Sequence, residues 1–177
     1  GTNGKSSSVS LARHILVQCG IKAACFGTLG YELEEETLAA PHTTPFGEDL
    51  AALFLKAKDT GHTHVAMEVS SHALEQERVA GIRFRTALFT NLTQDHLDYH
   101  LNMDAYRQAK LSLFERIEGA DAFTVVNRDD PCSSLFIRAS RVPCITYGGQ
   151  GDCHAACIRT EAGRTVFQVY TPWGSSD

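Results

Sequence analysis

The chain lacks an excess of positive charge and a long apolar run. It has 16 lysine and arginine residues against 21 aspartate and glutamate residues, which gives a formal net charge of -5. Because nucleic acids and anionic membrane surfaces are bound by clustered basic residues, this balance argues against both partners. No apolar run approaches the roughly 20 residues that span a bilayer, and no signal-peptide pattern is seen.

The chain also lacks the cysteine pattern of a disulfide-rich or zinc-binding domain. Its six cysteines are scattered, and without a secretory signal we expect free thiols in a reducing compartment. Cys153, His154 and Cys157 could form half of a metal site. No second Cys/His pair at zinc spacing follows them, so ordinary thiols are favoured.

What remains is a composition that fits one ordinary globular domain. The 177 residues are 43% hydrophobic and 21% charged, which is enough for one sizeable core. The chain begins without methionine, inside a motif, and ends on a predicted hairpin turn at residues 170–174. We therefore expect a fragment of a larger protein, and nothing in the sequence requires more than a monomer.

A phosphate-binding loop that opens a helix is predicted at the start of the chain. The first eight residues are Gly1, Thr2, Asn3, Gly4, Lys5, Ser6, Ser7 and Ser8. Apolar residues then recur at helical spacing, at Val9, Ala12, Leu16 and Cys19. Backbone N–H groups of such a loop and the positive end of the helix dipole bind phosphate, with Lys5 at the β- and γ-phosphates and Ser6 on Mg²⁺. The first glycine of the full motif would precede Gly1, so an ordinary helix cap stays an alternative.

Strands and helices alternate up to about residue 147, which predicts an α/β fold. Strands are expected near 22–26, 64–69, 85–90, 122–126 and 144–147, with helices between them. This order is typical of a mostly parallel sheet with helices on both faces, here of the P-loop nucleotide-binding type. After about residue 150 the pattern predicts a small antiparallel sheet that turns at Ala162-Gly163.

Two local predictions concern the region between the first two parallel strands. Residues 31–42 are acidic and irregular, which predicts a solvated loop. Thr44 is expected to cap a helix that has Pro45 in its first turn. The residues expected to be buried by this helix are Leu50, Leu53, Phe54 and Ala57.

Polar side chains follow several predicted strands, where parallel sheets bind their ligands. Glu68 ends an apolar strand, as a second Mg²⁺ ligand near a phosphate loop would, although a solvent-facing terminal glutamate is the alternative. Asn127 and Asp130 lie at another strand end, without a firm role. A denser cluster, which favours a site over a solvated loop, contains Asp95, His96, Asp98 and His100.

Lys110 lies among apolar neighbours on a predicted helix. By pattern alone this favours a half-buried lysine whose amine reaches back to solvent.

Five motifs together resemble the Mur ligase family. They are Gly1–Ser6, Thr43-Thr44-Pro45, the string MEVSSHAL at 67–74, the string NLTQDHLDYH at 91–100, and Ala109-Lys110. The resemblance covers nearly the whole chain and implies that residues 1–177 are part of the central ATP-binding domain. The string that begins at Glu68 resembles the members that add a diamino acid.

The resemblance implies an ATP-dependent amide ligase of cytoplasmic peptidoglycan synthesis. Such an enzyme joins meso-diaminopimelate or L-lysine to UDP-N-acetylmuramoyl-L-alanyl-D-glutamate through an acyl phosphate. It implies that Gly1 to Ser7 hold the ATP phosphates and that Ser6 and Glu68 hold one Mg²⁺. His96 and a CO₂-derived carbamate on Lys110 would hold a second. Apolar neighbours fit such a lysine, because burial favours the neutral amine that reacts with CO₂.

The resemblance also implies the residues that contact the UDP-muramoyl-dipeptide, which are His42, Thr43, Thr44, Ser70, Gln76 and Arg78. Two other classes of function stay open. One is a different P-loop enzyme, such as a kinase, an NTPase or a ligase like folylpolyglutamate synthetase. The other is a non-catalytic nucleotide- or metal-binding module that uses Cys153, His154 and Cys157.

Overall fold

The structure, a computed structural model, describes residues 1–33, 36–95 and 97–176. The chain divides into two compact units. The 4–82 unit is Gly4–Ile82, and the 83–177 unit is Arg83–Asp177 together with Gly1–Asn3. In the described part of the chain, no helix combines the length and the apolar character needed to cross a membrane.

The 4–82 unit forms a sheet flanked by helices. Its elements in chain order are α1 (Lys5–Gln18), β1 (Ala23–Gly27), β2 (Gly30–Leu33), β3 (Glu36–Leu38), α2 (Gly47–Asp59), β4 (His64–Met67) and α3 (Ser71–Glu75). The strand order is β3-β2-β1-β4, with β1 parallel to β4 and antiparallel to β2. Phe26 of β1 is fully buried and meets the rings of Tyr31 and Phe54 edge-on.

The predicted loop at residues 31–42 is wrong, because this region contains β2 and β3. Tyr31 and Leu33 point into the core while Glu32 between them stays partly exposed, which is the period of two of a strand. Strand β2 pairs with β1 and covers its edge. The burial of these two large side chains therefore favours a strand, although the acidic composition favours a solvated loop.

Helix α2 begins later than predicted. Its N-cap is Phe46, and the Thr44 hydroxyl bonds elsewhere, so Thr44 is not the cap. Leu50, Leu53 and Ala57 are buried as expected, while Phe54 is only partly buried.

Helix α1 is confirmed, but its predicted apolar face is not buried. Val9 and Leu16 are partly buried, whereas Ala12 and Cys19 are exposed, and no residue of the helix is fully buried. The helix stops before Gly20, which has the left-handed φ of 77° that favours glycine.

The 83–177 unit combines a parallel and an antiparallel sheet. Its elements are β5 (Thr86–Phe89), α4 (Leu97–His100), α5 (Met103–Glu115), β6 (Phe123–Asn127), α6 (Ser133–Ala139), β7 (Cys144–Tyr147), β8 (His154–Glu161), β9 (Arg164–Thr171) and β10 (Gly174–Ser176). Strands β5, β6 and β7 are parallel neighbours, and β8, β9 and β10 are antiparallel neighbours. The core of this unit contains the stacked rings of Phe89 and Phe136.

These parallel strands, the flanking helices and the antiparallel sheet after residue 150 confirm the predicted α/β class. The β8–β9 turn falls at Ala162-Gly163 as predicted, with Gly163 at a left-handed φ of 80°. All six cysteines are free, as predicted. The described residues contain no group of three side chains suited to a metal, so Cys153, His154 and Cys157 do not form one.

Candidate functional site

Glu68 is fixed at the carboxyl end of β4 in the 4–82 unit. Its side chain is 3% exposed, so it is not the solvent-facing glutamate of the alternative interpretation. Its backbone N–H donates to Phe26 O at 2.8 Å, and its Oε1 accepts from the N–H of Thr28 at 2.8 Å. A hydrogen bond to a carboxylate is stronger than one between neutral groups. The carboxylate is thereby held where the two parallel strands β1 and β4 both end.

Gly27 leaves the space that the Glu68 carboxylate occupies. A Cβ at this position would overlap Glu68 Oε1 and would lie 3.0 Å from Cδ. Gly27 was not singled out from the sequence, and this role was missed. A glycine that ends a strand beside another strand end is the signal that could have indicated a close approach.

Thr44 joins two of the predicted substrate-binding segments. Its side chain is 1% exposed, and its hydroxyl donates to Glu68 O at 2.9 Å while accepting from Ser70 N at 3.1 Å. The Ser70 hydroxyl accepts from Ala73 N and caps α3. Because a buried hydroxyl that donates and accepts has a fixed orientation, Thr44 sets the relative position of these two loops.

Arg78 and Gln76 lie beside the same threonine. Arg78 Nη1 donates to Thr44 O at 3.0 Å, and its Nε and Nη2 donate to Gln76 Oε1 at 2.9 and 2.6 Å. The guanidinium also lies 3.9 Å from the ring centre of Phe46, a residue that the sequence did not single out. The structure therefore brings the predicted substrate-binding residues of this region into one patch.

His42 and Thr43 complete this patch. The His42 ring meets Phe46 edge-on at 4.9 Å, and its carbonyl oxygen accepts from Tyr31 Oη at 2.7 Å. Thr28 Oγ1 donates to Thr43 Oγ1 at 3.1 Å. Burial raises the pKa of Tyr31, and the hydrogen bond to His42 opposes that rise. A buried, protonated tyrosine thus anchors the loop that carries His42.

The amino-terminal turn of α1 has the backbone geometry of an anion-binding turn. Gly4 takes the left-handed conformation, with a φ of 80°, directly before the first helical residue, Lys5. Ser8 donates through both its N–H and its hydroxyl to Gly4 O, which closes the first turn. No acidic residue lies in this turn. The predicted position of Lys5, Ser6 and Ser7 at a helix start is confirmed, and their contact with phosphate stays a prediction.

Gly1, Thr2 and Asn3 belong to the 83–177 unit, where they lie along the segment after β5. Thr2 N donates to Asn91 O and Asn3 N to Asn91 Oδ1, both at 2.9 Å. Thr90 Oγ1 donates to Asn3 O at 2.6 Å. A Cβ on Gly1 would overlap Thr90 Oγ1, so only glycine fits there. The strand-end residues therefore hold the beginning of the predicted loop.

Lys110 is more buried than its pattern predicted. It is 7% exposed, and its Nζ donates to Gly1 O at 3.3 Å and lies 4.5 Å from the ring centre of Tyr106. Tyr106 Oη is 3.2 Å from Thr2 Oγ1. Burial raises the pKa of Tyr106, and the Thr2 hydrogen bond opposes that rise. The amine thus faces the predicted phosphate loop, and the interpretation of a lysine that reaches back to solvent is wrong.

The predicted cluster at 95–100 is described only in part. His96 lies outside the described residues, so its role stays a prediction. His100 is buried and its ring lies 5.1 Å from that of Tyr106, so it is part of the core and not of a solvated loop.

Asn127 and Asp130, which had no assigned role, support the segment after β5. Asn127 Nδ2 donates to Thr90 O at 2.7 Å. Asp130 accepts from Leu92 N and Cys132 N, both at 2.8 Å. Together they fix the backbone against which Gly1–Asn3 lies.

Comparisons with known proteins agree with these motifs. A family model described as the Mur ligase middle domain matches residues 1–177. The UDP-N-acetylmuramoyl-L-alanyl-D-glutamate--2,6-diaminopimelate ligase of Geobacillus kaustophilus is 42% identical over 99% of this chain and 37% of that protein. The protein of the same name from Syntrophomonas wolfei is 44% identical over 96% of this chain and 35% of that protein. The chain thus spans little more than a third of the length of these relatives.

Solved structures show the same similarity. A structure of a ligase of that name matches 99% of this chain and 37% of its own, with a TM-score of 0.88 and 28% identity. MurF from Thermotoga maritima in complex with ADP matches 99% of this chain and 38% of its own, with a TM-score of 0.72 and 15% identity. E. coli FolC, solved with DHPP and ADP, matches all of this chain and 46% of its own, with a TM-score of 0.69 and 13% identity. The last two share the fold.

Proposed function

Because the chain belongs to the Mur ligase family, as its middle domain, we propose that it is the ATP-binding domain of a ligase that adds a diamino acid to UDP-N-acetylmuramoyl-L-alanyl-D-glutamate. The names of the relatives favour diaminopimelate over L-lysine. The complete ligase is this chain together with flanking segments like those of its relatives. In this proposal it works as a cytoplasmic monomer on nucleotide-linked substrates.

The first step of the proposed reaction is phosphoryl transfer. Proteins assist it by positioning and charge neutralisation more than by covalent chemistry. The loop Gly1–Ser7 and the positive end of α1 receive the ATP phosphates, with Lys5 at the β- and γ-phosphates. A carboxylate of the dipeptide attacks the γ-phosphorus and ADP leaves. The amine of the diamino acid then attacks the acyl phosphate, and inorganic phosphate leaves.

The oxygen ligands present fit Mg²⁺. Mg²⁺ favours carboxylate, hydroxyl and phosphate oxygens, and when bound it neutralises charge on the transferring phosphoryl group. Glu68 supports this assignment, because it is a buried carboxylate held by Thr28 N at a strand end. We assign Ser6 and Glu68 to one ion, and His96 with a carbamylated Lys110 to a second.

The carbamate on Lys110 has a structural consequence. The unmodified ammonium donates to Gly1 O and faces the Tyr106 ring, which are both electron-rich partners. A carbamate is an anion and is repelled by both, so modification requires the side chain to leave these two contacts. Intact-mass measurement in bicarbonate buffer tests this. We expect one added CO₂ that disappears in Lys110→Arg, and no added mass in either protein would contradict the carbamate.

In this proposal the patch around Arg78 binds the UDP-muramoyl-dipeptide. Arg78 presents a planar cation suited to a carboxylate or phosphate. The shared hydrogen bonds of Thr44 and Ser70 fix the loops around it. Thr43, Gln76 and His42 line the same patch.

The observation that carries the proposal is the buried, backbone-held Glu68 in a chain that matches the family domain over its whole length. In the complete ligase, continuous ADP release should require both the UDP-muramoyl-dipeptide and the diamino acid, because the acyl phosphate is not consumed without the amine. Glu68→Gln should lower kcat by about 10²-fold or more, because it removes charge near the transferring phosphoryl group. ADP release that is independent of the dipeptide would contradict the proposal.

A ligase like folylpolyglutamate synthetase is the second candidate, because FolC shares the fold. The product separates the two, since one gives a muramoyl tripeptide and the other a glutamylated folate. A kinase or NTPase would release ADP without forming an amide. A metal-binding module based on Cys153, His154 and Cys157 is not favoured, because no metal cluster lies among the described residues.

A further inference from the structure

Phe46 carries an exposed aromatic ring that contacts two of the predicted substrate-binding residues. The residue is the N-cap of α2, and 46% of its surface is exposed. The Arg78 guanidinium carbon lies 3.9 Å from the ring centre, and the His42 ring meets it edge-on at 4.9 Å, with the planes at 89°. Both contacts use the geometry that an aromatic quadrupole favours, with a cation over the face and an edge-to-face aromatic neighbour.

The Arg78 guanidinium is held on three sides. Its Nη1 donates to Thr44 O, and its Nε and Nη2 donate to Gln76 Oε1. On a third side, the guanidinium carbon lies over the Phe46 ring, 3.9 Å from its centre. A guanidinium has five N–H groups, so these three bonds leave one on each of Nη1 and Nη2. Two such N–H groups in one plane match the two oxygens of a carboxylate or phosphate.

The loop that carries His42 and Phe46 is itself held by hydrogen bonds to the rest of the 4–82 unit. The buried Tyr31 donates its hydroxyl to His42 O at 2.7 Å. The Thr44 hydroxyl bridges Glu68 O and Ser70 N. The backbone that leads to Phe46 is therefore anchored at two points, His42 and Thr44, and this limits the movement of the ring that lies against the guanidinium.

We propose that Phe46 is a positioning residue that holds the Arg78 guanidinium in the plane that receives a two-oxygen anion of the substrate. The inference rests on the proposed function, because that anion is a carboxylate or the diphosphate of the UDP-muramoyl-dipeptide. Phe46 acts through Arg78 and touches no reacting atom. Its exposure argues against a purely core role, because nearly half of the residue's surface remains in contact with water.

Phe46→Leu in the complete ligase tests this inference. Leucine keeps an apolar side chain and removes the ring face, so the Michaelis constant for the dipeptide should rise about two- to fivefold while kcat stays within a factor of two. Phe46→Tyr keeps the ring and should restore the original Michaelis constant. Phe54→Leu is the matched control, because Phe54 lies within α2, the helix that Phe46 precedes, and packs against Phe26 instead of Arg78. It should leave the Michaelis constant unchanged.

A double-mutant cycle makes the test specific. In an Arg78→Ala background, Phe46→Leu should have no further effect on the Michaelis constant, because the group that it positions is gone. An equal effect in both backgrounds would overturn the inference, and so would failure of Phe46→Tyr to restore binding. An Arg78→Ala variant with unchanged Michaelis constant would overturn it too. A different result would contradict the proposed function itself, namely that the unmutated ligase forms no tripeptide.

Competition with UDP-N-acetylglucosamine identifies the anion, because this molecule has the diphosphate and carries no carboxylate. If Phe46→Leu weakens its inhibition two- to fivefold as well, Arg78 binds the diphosphate. If its inhibition is unchanged while dipeptide binding weakens, Arg78 binds a glutamate carboxylate. Either result supports the role of Phe46, and unchanged binding of both molecules overturns it.

Discussion

Replacing Gly27 by alanine should weaken both the fold of the 4–82 unit and catalysis by the complete ligase. A Cβ at this position would overlap Glu68 Oε1 and lie 3.0 Å from Cγ and Cδ, whereas ordinary contacts are 3.4–4 Å. The carboxylate is buried and has little room to move aside. Its displacement breaks the 2.8 Å hydrogen bond from Thr28 N.

Two opposing effects set the magnitude of this change. Overpacking and the loss of a hydrogen bond to a charged group cost about 1–3 kcal/mol. Reduced freedom of the unfolded chain stabilises a glycine-to-alanine variant by about 0.4–1 kcal/mol. We expect a net loss of about 1–2 kcal/mol in the free energy of unfolding. If Glu68 is the Mg²⁺ ligand proposed above, a displacement of about 1 Å of its carboxylate should lower kcat about 10²-fold.

Urea unfolding of this chain and steady-state kinetics of the complete ligase measure the two effects. Gly81→Ala is the matched control, because a Cβ there meets no atom within 4 Å and its φ lies outside the left-handed region. It should be neutral or slightly stabilising and leave kcat unchanged. If Gly27→Ala matched this control in both measurements, the assignment of Gly27 as the space for the carboxylate would be refuted.

Three further perturbations test other contacts. Lys110→Ala should abolish ligation while the surface variant Lys56→Ala keeps it, and full activity of the first would remove Lys110 from the mechanism. Asp130→Ala leaves two backbone N–H groups without their acceptor and should cost about 2–4 kcal/mol in urea unfolding; a loss below about 0.5 kcal/mol would contradict this. Burial raises the pKa of Cys25 to about 11, so Cys25 should resist alkylation at pH 8 while the exposed Cys157 reacts. Equal alkylation of both thiols would contradict the burial of Cys25. Because the pKa of Cys25 is raised from 9.0 in the folded state, its contribution to the free energy of unfolding should be fully present below pH 9 and should be lost as the pH rises towards 11.

Elements marked by local signals could be predicted from the sequence. Strand β7 has the predicted bounds, and the β8–β9 turn falls at the glycine whose positive φ permits it. The hairpin of β2 and β3 was missed because acidic residues dominate the segment and its alternation extends over only four residues. Pairing with β1 and burial of Tyr31 and Leu33 decide its conformation. Such long-range pairing leaves little trace in local composition.

In the candidate site, the sequence indicated which residues are involved but not which atoms they contact. The family resemblance indicated Thr44 and Arg78, but their hydrogen-bond partners lie 24 and 34 residues away along the chain. Thr44 was predicted to be a helix cap because its local sequence fits one. In the fold its hydroxyl meets Glu68 O and Ser70 N, and these bonds satisfy a buried backbone carbonyl and N–H. Phe46 had no local signal, because only the folded loop brings Arg78 over its ring.

The described glycines show two physical requirements, backbone conformation and space, and some, such as Gly148, meet both. Gly20 and Gly163 have left-handed φ values and no atom within 4 Å of an added Cβ, so conformation alone requires them. Gly27 and Gly1 are required by space, since an added Cβ would overlap Glu68 Oε1 or Thr90 Oγ1. Each of these two glycines brings backbone against a polar side chain at the end of a parallel strand, where ligands bind such sheets. The predicted phosphate loop and the predicted Mg²⁺ ligand Glu68 therefore each depend on a glycine whose missing side chain leaves room for a polar group.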